Sequence, residues 1–298
     1  MREDQTIDSA LLRIPASLSW IERSHEGREW LHALPARASA CRERWGLRLD
    51  APYEDSFVSI VFPATRSDGS PAVLKIQYPH RESDTEADAL RAWNGAGAVR
   101  LLDHDAEHHA LLLERCEPGT HLSAVGADEA LSVFTQLLPR LWIGAHGRFT
   151  SLSDEASGWI AELPTSWERA GQPFERSLVD AALRALGHLS GTQGEHVLIH
   201  QDLHGDNILR ATREPWLVID PKPLVGEREF SLAPIIRSYE LGHSKADVVR
   251  RLNVLSAALR VDRERARLWA MAQTLAWAFD GTRASHQHVE TARWLWRA

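Results

Sequence analysis

Residues 197–219 constrain this 298-residue chain most, because they interrupt a long helical pattern with three short strand-like runs. Val197-Leu198-Ile199, Asn207-Ile208-Leu209 and Trp216-Leu217-Val218-Ile219 are aliphatic and rich in β-branched residues, as strands are. The polar loop His200-Gln201-Asp202-Leu203-His204-Gly205-Asp206-Asn207 joins the first two, and Asp220 closes the third. On either side, apolar residues recur at helical spacing, which predicts helices near residues 127–143, 154–169, 175–190, 227–240, 245–259 and 262–280.

The first part of the chain has a different rhythm. Residues 17–46 read as helical through Leu18, Ile21, Trp30, Leu31 and Leu34. Residues 57–62 and 72–76 then read as strands joined by Arg66-Ser67-Asp68-Gly69-Ser70, where Asp-Gly favours a hairpin. Residues 81–94 return to a helix that Asn94-Gly95 would stop, and strands follow at 99–102 and 110–114. Pro118-Gly119 breaks the chain. The expectation is therefore an α+β protein of two domains: a β-rich lobe over residues 1–118 and a larger, mainly helical lobe over residues 119–298. A chain of this length exceeds what one small core requires.

Composition narrows the function classes. A net charge of −7 argues against a nucleic-acid binder, which normally carries a basic face. It does not point to a cationic substrate either. Residues 1–118 hold 14 Lys+Arg against 20 Asp+Glu, while residues 119–298 hold 20 against 21, so the acidic excess lies away from the polar loop. No apolar run has the length of a membrane span, and the polar start Met1-Arg2-Glu3-Asp4 shows no signal peptide. Cys41 and Cys116 are too few for a disulfide framework, which makes a reducing cytoplasm the expected location.

The loop and the strand after it hold what phosphoryl transfer needs. One carboxylate must sit beside the attacking hydroxyl, and further oxygen ligands must hold Mg²⁺ against the phosphates. Asp202, Asn207 and Asp220 have that chemistry in that order. A plain polar turn would use the same residue types. Further upstream, Lys75 lies inside the strand Ala72-Val73-Leu74-Lys75-Ile76, where a lysine needs a partner. Glu86, on the following helix, can supply one. His200 and His204 have zinc-ligand spacing, but Gly205 and the flanking strands argue against the helix such a pair requires.

These motifs together resemble the aminoglycoside phosphotransferases, in particular the streptomycin 6-kinase and hydroxyurea phosphotransferase branch. The resemblance spans roughly residues 40–240. It is carried by the loop at 200–207, by Arg213-Glu214-Pro215-Trp216-Leu217-Val218-Ile219-Asp220-Pro221-Lys222 and by Leu224-Val225-Gly226-Glu227. It implies a protein-kinase-like bilobal fold with ATP in the interlobe cleft, Asp202 as catalytic base, and Asn207 and Asp220 as Mg²⁺ ligands. It further implies that Lys75 contacts phosphate with Glu86 as its partner, that Ser56 lies in the nucleotide-covering loop, and that Glu114 and Cys116 flank adenine. Three positions depart from the family pattern. The covering loop Glu54-Asp55-Ser56-Phe57-Val58-Ser59 has no glycine, Gln201 replaces a small residue, and Ser231 stands where an Asp usually braces the catalytic loop.

The expected function is ATP-dependent phosphorylation of a small-molecule hydroxyl, with streptomycin as the acceptor and antibiotic resistance as the outcome. Hydroxyurea or another sugar or aminocyclitol is the same-class alternative, and a catalytically weak nucleotide-binding regulatory protein is the alternative of another class. Asp154, Glu155, Glu162, Glu227, Glu229 and Asp280 are candidates for an acceptor pocket that takes amino or guanidino groups. Trp142, Trp159 and Trp277 could form a sugar-binding wall, although core packing is the simpler reading. His104, His108 and His109 fall in an expected solvated turn.

Overall fold

The computed structural model describes residues 13–54, 56–81, 83–145 and 148–298. The chain divides into two compact units: residues 1–95 with 99–117, and residues 96–98 with 118–298.

The first unit opens with a 3-10 helix, Ala16–Arg23, followed by α1 (His25–Trp45). The sequence reads as one continuous helix here, but the structure breaks it at Ser24. The Ser24 hydroxyl accepts the Gly27 amide at 2.9 Å and caps α1. Gly27 makes the break possible, since a Cβ there would come within 1.9 Å of the Ile21 carbonyl oxygen. Strands β1 (Arg48–Leu49), β2 (Ser59–Thr65) and β3 (Pro71–Gln77) follow, then α2 (Glu86–Trp93), β4 (Leu101–Asp105) and β5 (Ala110–Glu114). They form one antiparallel sheet in the order β1-β2-β3-β5-β4. Leu18, Ile21, Trp30, Leu34 and Cys41 pack with Ile60, Phe62, Leu74, Ile76 and Leu112, so the helical N-terminus and the sheet share one core.

The second unit contains α3 (Ala127–Leu141), β6 (Thr150–Ser151), α4 (Leu152–Arg169), α5 (Arg176–Ser190), β7 (His196–His200), β8 (Ile208–Arg210), β9 (Trp216–Val218) and β10 (Pro223–Glu227). It continues with α6 (Ala233–Arg237), α7 (Lys245–Leu259), α8 (Arg263–Ala276), β11 (Phe279–Asp280), β12 (Arg283–Ala284) and α9 (His286–Trp296). β7 pairs antiparallel with β10, which runs parallel to β6, while β8 and β9 make a separate hairpin. Residues 96–98 belong to this unit because the Val218 amide donates to the Gly97 carbonyl and the Arg213 guanidinium to the Ala98 carbonyl, each at 2.9 Å. No described helix is long and apolar enough to cross a membrane.

The structure corrects the helix expected over residues 227–240. Glu227 ends a strand, and a 3-10 turn at Arg228–Leu232, the short α6 and another 3-10 turn at Tyr239–Leu241 follow. Pro234, in the first turn of α6, has no amide with which to extend a helix backwards. Glu227 is also corrected as an acceptor-pocket candidate, since it is only 1% exposed. Its carboxylate accepts from Nε and Nη2 of Arg265, from the Trp269 indole and from the Gly194 amide, which ties β10 to α8. A cavity of about 440 Å³ beside it, lined by Glu195, Arg228, Glu229 and Arg265 among others, lacks Asp202, Asn207 and Asp220.

Candidate active site

A weave of backbone bonds gathers the loop at 200–207. The Gln201 amide donates to the Lys222 carbonyl at 3.0 Å and the Ile219 amide to the Asn207 carbonyl at 2.9 Å. His200 locks the same crossing from inside. Its Nε2 donates to the Ile219 carbonyl at 3.0 Å, so its Nδ1 is the acceptor for the Asp202 amide at 3.2 Å. Burial holds its pKa down at about 4, which keeps the ring neutral and this tautomer in place. Gly205 lets the loop turn under its neighbours: a Cβ there would lie 2.8 Å from the Ser123 amide nitrogen, and the Gly205 amide donates to Glu240 at 2.9 Å. Because His200 and His204 serve separate backbone groups in a non-helical loop, they do not form a zinc-binding pair.

Asp202, Asn207 and Asp220 are thereby brought to one place. The Asn207 side-chain amide nitrogen donates to the Asp202 carbonyl at 2.8 Å, which leaves its oxygen as the end suited to a hard cation. Asp220 sits at φ +52, a left-handed conformation that costs a non-glycine residue about 1 kcal/mol. Strain of this kind gathers at functional positions.

Two cations flank the Asp202 carboxylate. Lys222 Nζ lies 2.9 Å from Oδ2, and Arg237 Nη2 lies 3.3 Å from Oδ1. Burial alone would raise this carboxyl, but Lys222, His204 and Arg237 together pull its pKa down to about 2. Arg237 is itself anchored to Gln273 at 2.6 Å. The Trp277 ring lies beneath both cations, 4.5 Å from the Arg237 guanidinium carbon and 5.7 Å from Lys222 Nζ. The sequence gives no role to Lys222 or Arg237, and for Trp277 it offers a sugar wall or, more simply, core packing. Lys222 ends the family motif at 213–222, whereas nothing in the sequence pairs residue 237 with residue 202. Trp159 is core, stacked on Phe230, and Trp142 donates to Ser231 at 2.9 Å. Ser231, standing where an Asp brace was expected, therefore serves an indole.

In the first unit, Lys75 Nζ lies 2.9 and 2.6 Å from the two Glu86 oxygens, and Gln77 donates to the same carboxylate at 2.6 Å, all buried. The Ser56 hydroxyl donates to the Ser59 carbonyl at 2.7 Å. Glu114 exchanges backbone and side-chain bonds with Arg100 at the end of β5, and Cys116 is buried just beyond. Asp55 lies outside the described residues. The ligand-capable atoms of Cys41, Asp105 and His108 fall within 4.8 Å of one another, although Arg44 and the His108 amide already occupy the Asp105 carboxylate.

Comparison with known proteins identifies the family. The family model for aminoglycoside/hydroxyurea antibiotic resistance kinases matches residues 44–282. The chain is 40% identical over 257 residues to a streptomycin 6-kinase of Streptomyces griseus, covering 84% of this chain and 83% of that protein. It is 38% identical over 273 residues to a hydroxyurea phosphotransferase of Kitasatospora aureofaciens, covering 89% and 79% respectively. Choline kinase LicA from Streptococcus pneumoniae superposes with a TM-score of 0.61 at 12% identity, covering 88% of this chain and all of that one. Aminoglycoside phosphotransferase APH(4)-Ia, crystallised with ADP and hygromycin B, gives 0.56 at 16% identity over 86% and 97%. At such identities these structures speak for the fold alone, which is protein-kinase-like. The match over residues 44–282 and the 40% relative make the chain a member of the aminoglycoside/hydroxyurea antibiotic resistance kinase family, an ATP-dependent phosphotransferase acting on a hydroxyl.

Proposed function

We propose that this enzyme phosphorylates streptomycin. The observation that carries the reading is the Asp202 carboxylate, held ionised between Lys222 and Arg237 on the same loop as Asn207. Asp202 orients the acceptor hydroxyl. The acceptor oxygen forms its bond to the γ-phosphorus as the bond to the ADP oxygen breaks, and the hydroxyl proton passes to Asp202. Lys75 holds the nucleotide phosphates, with Glu86 fixing its ammonium. Main-chain groups around Ser56 cover the phosphates, and Glu114 and Cys116 border the adenine. The Asn207 oxygen and the Asp220 carboxylate are hard donors that fit Mg²⁺, which when bound neutralises phosphate charge. The enzyme works in the cytoplasm, and phosphate on the drug adds bulk and negative charge to a cation.

Hydroxyurea is the second reading, favoured by the 38% identical phosphotransferase over 89% of the chain. Purified enzyme with ATP and an acceptor panel, read by mass spectrometry, separates the two. Streptomycin should gain one phosphoryl group, and a bacterium expressing the enzyme should tolerate it. Transfer to hydroxyurea alone would move the assignment to the second reading.

A further inference from the structure

The loop between β1 and β2 is assigned above to covering phosphates, yet it lacks the glycines that usually let backbone amides approach an anion. The structure shows a different device. The 3-10 helix Ala16–Arg23 takes the loop's carbonyls. The Ser17 hydroxyl lies 2.8 Å from the Glu54 carbonyl and 2.6 Å from the Ser56 carbonyl, sharing its one proton between them. The Trp20 indole donates to the Phe57 carbonyl at 2.8 Å.

Ser17 and Trp20 are three residues apart, and side chains at that spacing eclipse on a 3-10 helix, so both donors project from one edge. Leu18 and Ile21 share that spacing and are 0% and 1% exposed, which seats the helix in the core of the first unit. Trp20 is steadied edge-on against Tyr78, with ring centroids 6.1 Å apart. The helix is a fixed support rather than a loose strap.

Peptide geometry carries the consequence. In a planar trans peptide, the carbonyl of one residue and the amide of the next point in opposite directions. With the carbonyls of Ser56 and Phe57 both drawn to the helix, the amides of Phe57 and Val58 both point away from it. An ordinary strand alternates its amides from side to side. Two successive amides on one side instead make a concavity suited to an anion.

We propose that Ser17 and Trp20 are positioning residues for the nucleotide, turning the amides of Phe57 and Val58 toward its phosphates. The proposal rests on the ATP-binding role given to this loop. It assigns the N-terminal helix, which lies outside the residues matched by the family model, a share in substrate binding.

The test is calorimetric binding of Mg·AMP-PNP and of adenosine to the wild-type enzyme, Ser17→Ala, Trp20→Phe and the double variant. Affinity for Mg·AMP-PNP should fall on the order of tenfold in the double variant, as expected for lost hydrogen bonds. Affinity for adenosine, which has no phosphates, should stay within about twofold. The KM for ATP should rise in parallel while kcat holds, and Ser17→Thr, which keeps the hydroxyl, should restore binding. Hydrogen exchange at the Phe57 and Val58 amides of the wild type should slow with AMP-PNP and not with adenosine. Should Trp20→Phe fail to fold, Ser17→Ala carries the same comparison through a half-buried hydroxyl. Unchanged AMP-PNP affinity in the folded variants, or an equal loss for adenosine, overturns the positioning role alone. No AMP-PNP binding by the wild type overturns that role and the ATP reading together.

Discussion

In the proposed role, Asp202 is worth more to the enzyme as an anion than as a strong base. With its pKa held at about 2 between Lys222 and Arg237, the proposed base would orient a hydroxyl well and take a proton only once the acceptor oxygen is bonding to phosphorus. Asp202→Ala should therefore cost about 10²–10⁴ in kcat, the usual range for a lost general base, with AMP-PNP affinity near the wild-type value. Steady-state kinetics and calorimetry on one preparation check both halves. Asp220→Ala should instead remove the Mg²⁺ dependence of AMP-PNP binding, and an unchanged dependence would mean that the metal sits elsewhere. At this scale the sequence was informative where a residue type is costly without a partner. A lysine inside β3 demanded a carboxylate, and Glu86 is the one it meets. The sequence was uninformative where a role arises only from folding. Arg237 finds Asp202 across 35 residues, and Glu227 looked like a pocket acid until Arg265 and Trp269 closed over it.

Among elements, the joint between β3 and α2 has the clearest energetic prediction. Lys75, Gln77 and Glu86 are all buried, so Glu86→Ala strands an ammonium in the interior, at a cost of about 3–5 kcal/mol. The double variant Lys75→Met, Glu86→Leu removes both charges and should recover most of that stability while abolishing turnover. Urea midpoints at pH 7.5 decide it, and a single variant as stable as the wild type would show that the pair is not buried as described. Elements with a strong apolar period were legible from sequence, as α3, α5 and α7 are. The stretch after β10 was not, because helical spacing over 227–240 cannot register that Pro234 restarts the chain or that Glu227 is already committed to a strand pair with His196. The β11–β12 hairpin and α9 were missed for a related reason: His286–Trp296 mixes aromatic and charged residues, and its buried positions Val289, Ala292 and Leu295 show only once α8 is in place.

For the whole molecule, the buried His200 and the half-buried His288 contribute to the acid side of stability. Burial lowers His200 and His288 to about 4, with Arg237 and His243 adding to the effect at His288. Unfolding returns both to about 6.5, so between pH 6.5 and 4 the unfolded chain binds protons that the folded chain refuses. The contribution is complete above pH 6.5 and falls as pH drops through that window, by at most about 3 kcal/mol per histidine. Glu175, lowered to about 2 by its Arg293 hydrogen bonds, adds a loss of its own that begins near its unfolded value of 4.5, at the acid end of this window. Urea midpoints from pH 7.5 to 4.5 should trace the decline, and His288→Gln should flatten it. No local sequence feature announces that residues 96–98 fall with the second unit, since that depends on which carbonyls the Val218 amide and the Arg213 side chain reach.

That three-residue stitch bears on how such enzymes can be recombined. The second unit takes the Gly97 and Ala98 carbonyl oxygens from the stretch, together with the Gly97 backbone bond to Glu214 and the buried Ala98 side chain. A hybrid joined at Glu117 and Pro118 would take its first 117 residues from one relative and the remainder from another. It would inherit a foreign version of the stitch and still close the same two bonds. A fragment cut at that point would instead begin without them, with the Val218 amide and the Arg213 side chain lacking these acceptors. Exchange of the first unit as a block keeps a version of the stitch in place, whereas its outright loss removes it.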